Sequence, residues 1–354
     1  MFCERRRLDK TLAGLVALVL ITPALFNVPV GHAEIYRWQD QQGHWHFSDS
    51  PPSDIETERF TGVSGTGAVQ PIANETETSV GQSQSLTTAG EAGVFWRVAK
   101  PGLQPSHLLG TIHSTDARVI RLRPDVQTAL DAADRFVMEM IMDTNALLAF
   151  GTSIMLTDGS DLETLLGPGL FNRVVSVTAG YGFPEMAVRQ LKPWVVMAML
   201  SMPKPTGEPI LDMVLYQRAQ SRGKATSGLE SAQEQLAVFE GLPLDDQVEL
   251  LKMTLDQLPS LPELFEALLQ AYQADDLGRI ATLANQYKTR PDLQSLKRFM
   301  FRLNDERNRR MVQRTIPYLE SGNAFIAVGA LHLAGPAGLV SLLRERGYTL
   351  TPVR

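Results

Sequence analysis

Along residues 93–354, short apolar runs alternate with stretches whose apolar residues recur every three to four positions, the signature of strands interleaved with helices. The spacing predicts strands at 94–98, 106–109, 135–142, 224–227, 325–328 and 348–353. It predicts helices at 124–133, 184–202, 210–222, 244–258 and 291–319, the last with Pro317 near its end, and at 336–346, stopping at Gly347. The stretch 162–286 reads as mostly helical, an insertion lying over the expected site. The fold class expected for 93–354 is therefore α/β, a mixed central sheet with flanking helices. Upstream, residues 34–52 read as two short aromatic strands around Gln41-Gln42-Gly43, closed by Pro51-Pro52, so 34–55 is a small β-hairpin module. Between them, 56–92 is rich in Gly, Ser, Thr and Gln and poor in large apolar residues, the composition of a disordered linker.

Two parts of this map repeat each other. His107-Leu-Leu-Gly-Thr-Ile-His113 and Phe325-Ile-Ala-Val-Gly-Ala-Leu-His332 are each an apolar strand running into Gly-x-x-His, and each is followed by a helix and another strand. In an open α/β sheet, ligands gather beyond the C-terminal strand ends, which is where both motifs fall. Gly110 and Gly329 are expected to let the backbone turn sharply there, aiming His113 and His332 off the sheet edge. Residues 93–354 contain only three histidines, so two in equivalent positions exceed scatter; His107, on the strand itself, reads as structural.

Composition narrows the setting. At 354 residues with 44% hydrophobic content the chain can bury a substantial core, and a formal net charge of −6 with scattered Lys and Arg leaves no footprint for nucleic acid. Arg5, Arg6, Arg7 and Lys10, an apolar run at 12–21 and the small-residue ending Gly31-His32-Ala33 read as a signal peptide over 1–33 cleaved near Ala33. The expected destination is the periplasm or the exterior, with no stable membrane span after cleavage; an uncleaved anchor is the outcome if 25–30 extends the apolar run. The single cysteine, Cys3, lies inside the removed segment, which excludes disulfides, thiol nucleophiles and thiolate metal sites from the mature chain.

The remaining chemistry lies in carboxylates and one helix face. Strand alternation puts Glu139 with Val137 and Ile141, where a carboxylate needs a cation, a metal or several donors, a strand-end salt bridge being the plain alternative. Glu230 comes after the predicted strand at 224–227 and is either a second site acid or an ordinary acid ahead of a helix. Asn304, Arg307, Asn308 and Met311 share one helix face, so Arg307 and Asn308 either orient a substrate or belong to a polar helix surface. His44 and His46 share a face of the hairpin, as metal ligands or as exposed strand residues. The sequence has no His-Glu-x-x-His, Gly-x-Ser-x-Gly, phosphate-binding loop or Gly-x-Gly-x-x-Gly.

Together, Leu109-Gly-Thr-Ile-His113, Val137-Met-Glu139, Gly228-Leu-Glu230 followed by Gln235, Arg307-Asn308-x-x-Met311 and Val328-Gly-Ala-Leu-His332 resemble the TraB/GumN family, in order and across 93–354. The hairpin, with Tyr36, Trp38, Asp40, Gly43, His46, Phe47, Ser48 and Asp49, resembles a small module of unknown function found near the N-termini of exported bacterial proteins. The TraB/GumN resemblance extends to the TIKI proteins, membrane-associated metalloproteases dependent on manganese or cobalt. It implies a divalent metal, Mn or Co ahead of Zn, held by His113, His332, Glu139 and Glu230. It also implies Glu139, Arg307 and Asn308 as catalytic residues, Glu139 taking the proton and Arg307 holding the oxyanion, with a peptide or protein as substrate. One departure stands beside it: Ala330-Leu331 and Ala334-Gly-Pro336 give the second loop a less polar lining than the first. The function expected is an exported metal-dependent hydrolase of the peptidase kind; the alternative is a non-catalytic periplasmic metal- or haem-binding protein, or an envelope regulatory or interaction protein.

Overall fold

The computed structural model describes residues 93–204, 206–286 and 292–353, and the backbone of three short strands at 36–39, 45–48 and 58–59. The expected signal peptide, the Gln41-Gln42-Gly43 turn, His44 and most of the expected linker lie outside the described residues. The three strands, β1 (Tyr36–Gln39), β2 (Trp45–Ser48) and β3 (Glu58–Arg59), form a small antiparallel sheet in the order β2-β1-β3. Tyr36 faces Ser48 on one side and Arg59 on the other, so the expected hairpin gains a third strand from residues expected to be linker.

The larger unit is built on one six-stranded sheet. Its strands are β4 (Phe95–Ala99), β5 (Ser106–Thr111), β6 (Arg135–Met138), β7 (Ala225–Gly228), β8 (Ala324–Gly329) and β9 (Thr349–Pro352), in the order β7-β6-β8-β5-β4-β9. β7, β6, β8 and β5 run parallel, while β4 is antiparallel to both β5 and β9, so the sheet is mixed and the class is α/β as expected. β8 is buried at all six positions, as a central strand covered on both faces must be. Phe325 on β8 holds Phe95 and Phe136 at ring-centroid distances of 5.9 and 6.1 Å, tying three strands through one apolar seam.

Three expectations need correction. The strand predicted at 135–142 ends at Met138, because the ladder to β7 closes at the pair Met138–Gly228, and the chain beyond is carried by the bonds Leu229 N–H to Met138 O and Glu230 N–H to Glu139 O. The segment predicted as one amphipathic helix at 184–202 is two helices, Glu185–Arg189 and Pro193–Leu200, and the second is buried at all eight positions. It is a central core helix rather than a surface one. The helix predicted at 291–319 is divided into Gln294–Met300 and Arg307–Ser321 by a wide π turn, Phe301–Glu306. A π turn inserts one residue into the helical repeat and rotates the downstream helix by about 100°, which resets the face that Arg307 and Asn308 present.

Candidate functional site

The register of the parallel strands decides where the predicted residues fall. Thr111 pairs with Gly329, and Met138 pairs with both Ala327 and Gly228, so β5, β6, β7 and β8 all end at one edge of the sheet. His113, Glu139, Glu230 and His332 are the first chemically active residues past those four ends. All are buried: His113 and Glu139 are 1% exposed, His332 is fully covered and Glu230 is 6% exposed.

Each imidazole is gripped at Nδ1. His113 donates from Nδ1 to Oδ2 of Asp212 at 2.7 Å, and the other carboxylate oxygen of Asp212 accepts from the Thr111 hydroxyl, also at 2.7 Å. His332 Nδ1 lies 2.5 Å from Asn308 Oδ1; the Asn308 amide nitrogen donates to Ala337 O at 2.8 Å, which orients its oxygen toward the ring. With Nδ1 donating, the Nε2 of each ring in its neutral form carries the lone pair. That of His113 has no hydrogen-bond partner among the described residues, and that of His332 is 3.5 Å from Glu139 Oε1.

The carboxylates share Arg307, which the helix after the π turn carries into the core at 1% exposure. Its Nη2 donates to Glu139 Oε2 and also lies 2.7 Å from Glu230 Oε2; its Nε donates to that same Glu230 oxygen at 2.9 Å, and Nη1 donates to Leu303 O. Glu139 Oε1 accepts the backbone N–H of Gly329 at 2.6 Å, a bond from one repeated corner to the strand beside it. Burial pushes the Glu139 carboxyl up to about 7, against the opposing pull of Arg307, His113 and the Gly329 N–H. At Glu230 burial works in the same upward direction, but Arg307 and Arg310 together hold its carboxyl below the usual range. Arg310 closes Glu230 from the other side at 2.7 Å.

The structure thus joins His332, Glu139, Glu230, Arg307 and Asn308 in one polar network, with His113 near enough to act on the Glu139 carboxyl. Both oxygens of Glu230 are engaged by arginines, and Arg307 is sandwiched between carboxylates. Met311 is buried with Arg307 and Asn308, whereas Asn304, in the π turn, is half-buried and donates to Asp305. Gln235 is buried at 1% exposure with neither end of its amide partnered among the described residues. His107 stacks on Phe95 at 5.4 Å, the structural role expected of it.

The glycines act otherwise than expected. Gly329 has φ of −53°, and Gly110 is not among the positive-φ glycines, so neither supplies a left-handed turn. A Cβ on Gly110 would stand 2.8 Å from Leu333 Cδ1 and 2.9 Å from Ala330 Cα. Gly110 is needed for the close approach of the two corners, not for a bend of its own.

Asp212 and Thr111 escaped the sequence reading. Asp212 sits on the helix Leu211–Ser221, whose buried residues are Leu211, Asp212, Leu215 and Ala219. An aspartate three residues before Leu215 and seven before Ala219, on the apolar face of its helix, was the available signal.

As chemistry, the donor set suits a divalent cation: two imidazole nitrogens whose opposite nitrogens are tied, the usual dress of metal-binding histidines, beside a carboxylate. Among the described residues no three His, Cys, Asp or Glu side chains are gathered closely enough to hold an ion by themselves. The residues that could take part in holding one are His113, whose Nε2 has no hydrogen-bond partner among the described residues, and His332, with Glu139 beside it. A cleft of about 730 Å³ reaches the cluster at Glu230, lined also by Ile141, Asp143, Ser231, Glu234 and Arg314.

An α/β domain with a buried His, Glu and Arg cluster at the ends of four parallel strands is the class these observations define. The model of the TraB/PrgY/gumN family matches residues 94–352, and the chain belongs to that family. A second model, a domain of unknown function (DUF4124), matches residues 23–75. Among curated proteins the chain is similar to metalloprotease TIKI2 of Danio rerio, 26% identical over 331 residues that cover 78% of this chain and 64% of the relative. It is similar to metalloprotease TIKI1 of Xenopus tropicalis, 26% identical with coverages of 69% and 58%, and of Homo sapiens, 25% identical with coverages of 69% and 59%. The chain thus spans less than two thirds of the length of these relatives. No solved structure matches it.

Proposed function

We propose that this protein is an exported, metal-dependent peptidase whose site is the cluster at the four strand ends. The observation that carries the reading is the pair of buried imidazoles, each held at Nδ1, with His332 Nε2 3.5 Å from Glu139 Oε1 and His113 near enough to act on the Glu139 carboxyl. Relatives named metalloproteases support a divalent metal and a peptide or protein substrate. His113 and His332 would hold the ion, which supplies Lewis acidity and brings the pKa of a bound water toward about 7. Glu139, with its carboxyl at about 7, is poised to accept a proton at Oε1 near neutral pH. Arg307 fixes the other oxygen of Glu139, and Asn308 sets the ring of His332. Glu230 anchors Arg307 and forms part of the wall of the cleft through which a peptide chain would approach.

Export is supported by the basic, apolar and small-residue order over 1–33, with periplasmic or secreted delivery after cleavage near Ala33. Among the described residues no helix is long and apolar enough to cross a membrane. N-terminal sequencing of the mature chain from an envelope fraction tests this, Glu34 being the expected first residue.

A second reading, a non-catalytic metal-binding or envelope regulatory protein, is favoured by the saturation of Glu230 and Arg307 and by the lack of a gathered trio of ligands among the described residues. One experiment separates the two: metal content and peptide hydrolysis of wild type, His113→Ala and His332→Ala with manganese, cobalt or zinc. The peptidase reading expects about one ion per chain and turnover, both lost in either variant. Binding without turnover on any peptide supports the second reading, and equal weak binding by all three proteins removes the metal from both.

A further inference from the structure

We propose that Asp212 is the positioning residue of this site: seated by Thr111, it locks His113 in the Nδ1–H tautomer and makes His113 the dominant metal ligand. The second half of this statement rests on the metal-dependent reading of the site; the first does not.

Free neutral histidine prefers its proton on Nε2, the wrong place for a ring that must offer Nε2 to a cation. Asp212 reverses that preference, because a carboxylate at 2.7 Å from Nδ1 accepts and has nothing to donate. Its own geometry is overdetermined. The second oxygen accepts from Thr111 at 2.7 Å, and the residue is 2% exposed in the first turn of Leu211–Ser221, where the helix dipole favours a negative charge. The start of that helix is in turn bonded to the residue after His113, from Leu211 N–H to Ser114 O. Three links therefore join the first Gly-x-x-His corner to one short stretch of helix. Their product is a buried Nε2 lone pair that no described residue uses.

At the second corner Nδ1 has an amide as its partner, where the first has a carboxylate. His332 leans on the neutral amide of Asn308, which fixes the ring but adds no charge to it. A carboxylate behind an imidazole strengthens its other nitrogen as a donor, and loss of such a partner usually costs 10- to 100-fold in metal affinity. The two repeated corners are thus unequal, with the affinity concentrated at His113.

The test uses ¹⁵N-histidine NMR on the metal-free full chain and Mn²⁺ titration calorimetry, for wild type, Asp212→Asn and Thr111→Val. Wild-type His113 is expected to show the Nδ1–H signature. Asp212→Asn, which can donate to Nδ1, is expected to move the proton to Nε2 and weaken Mn²⁺ binding about 10- to 100-fold, leaving His332 unchanged. Thr111→Val touches neither ring nor metal and is expected to give a smaller loss, severalfold, so it keeps the proposal testable if the first variant does not fold. A His113 that remains Nδ1–H in Asp212→Asn, or wild-type affinity in both variants, overturns the proposal. Failure of wild type to bind Mn²⁺ overturns the metal reading, while the tautomer shift alone then still upholds Asp212 as the residue that positions His113.

Discussion

Glu139 and Glu230 stand just past the ends of neighbouring parallel strands and share one arginine, yet their surroundings give them opposite characters. Glu139 has Arg307, a backbone N–H and an imidazole around it, and burial wins: its carboxyl rises to about 7. Glu230 has the same arginine plus Arg310, and the two cations win over burial: its carboxyl is held low. A second guanidinium at Glu230, together with the fuller burial of Glu139 and the repulsion it feels from Glu230, separates a group that can exchange a proton near neutrality from one that is a fixed anion. Position on the fold brings both acids to the cluster, and burial weighed against the cations around each sets its character.

The most severe way to break the contrast is to remove what both share. Arg307→Met leaves two buried carboxylates without their common counter-ion, a change that typically costs about 3–5 kcal/mol. We expect a folded yield far below wild type or a large fall in Tm, read by thermal unfolding. Full stability in this variant would show that Arg310 and the backbone donors neutralise the cluster alone.

The contrast is sharpened by pH. A carboxyl raised from its ordinary 4.5 to about 7 in the folded chain contributes stability that is complete below about 4.5 and is lost as pH rises through about 7. A shift of that size corresponds to about 3 kcal/mol. Glu230, shifted downward, works the other way: its contribution is present above 4.5 and lost only at more acid pH. In metal-free protein, the difference in unfolding free energy between Glu139→Gln and wild type should therefore grow in favour of the variant from pH 5 to 7.5 and then level. On the proposed peptidase reading, with Glu139 as general base, the same variant should lose about 10²–10⁴-fold in peptide hydrolysis with metal present. A flat difference across that range would mean that Glu139 is ionised throughout, as Glu230 is.

Much of this arrangement was legible in the chain because it is local. The Gly-x-x-His repeat continues from apolar runs, and strand-end placement holds for any parallel sheet, so His113 and His332 could be named from spacing. Glu139 stood out as a carboxylate inside a buried strand pattern. What spacing could not carry is pairing across long distances. Asp212 lies 99 residues from the histidine it holds, and Arg307 lies 168 residues from Glu139. The π turn was hidden as well, since an inserted residue leaves composition and hydropathy unchanged while rotating the face beyond it. The constraint on Gly110 was equally out of reach of local pattern, because the atoms it must avoid belong to the other repeat.

That constraint supplies the next test. In Gly110→Ala the new Cβ meets Leu333 and Ala330 at less than 3 Å, and overpacking of this kind costs about 1–3 kcal/mol. The two corners would be pushed apart, so Mn²⁺ affinity is expected to fall together with Tm, whereas Glu230, one strand further from the clash than Glu139, should keep its arginine pairing. Unchanged affinity with a lowered Tm would place the strain outside the site.

The smallest expected effect concerns how Glu230 itself is held. Ser231, the next residue, is the N-cap of the helix Ala232–Glu240, accepting from Glu234 N–H while the Glu234 side chain accepts from Ser231 N–H, a complete capping box. Ser231→Ala should cost about 1 kcal/mol of stability through the cap. If the arginines alone fix Glu230, as its bonds to Arg307 and Arg310 indicate, metal affinity and the pH profile of Glu139 will not move. A shift of that profile in Ser231→Ala would show that the helix start, and not only burial and the cations, sets the difference between the two carboxylates.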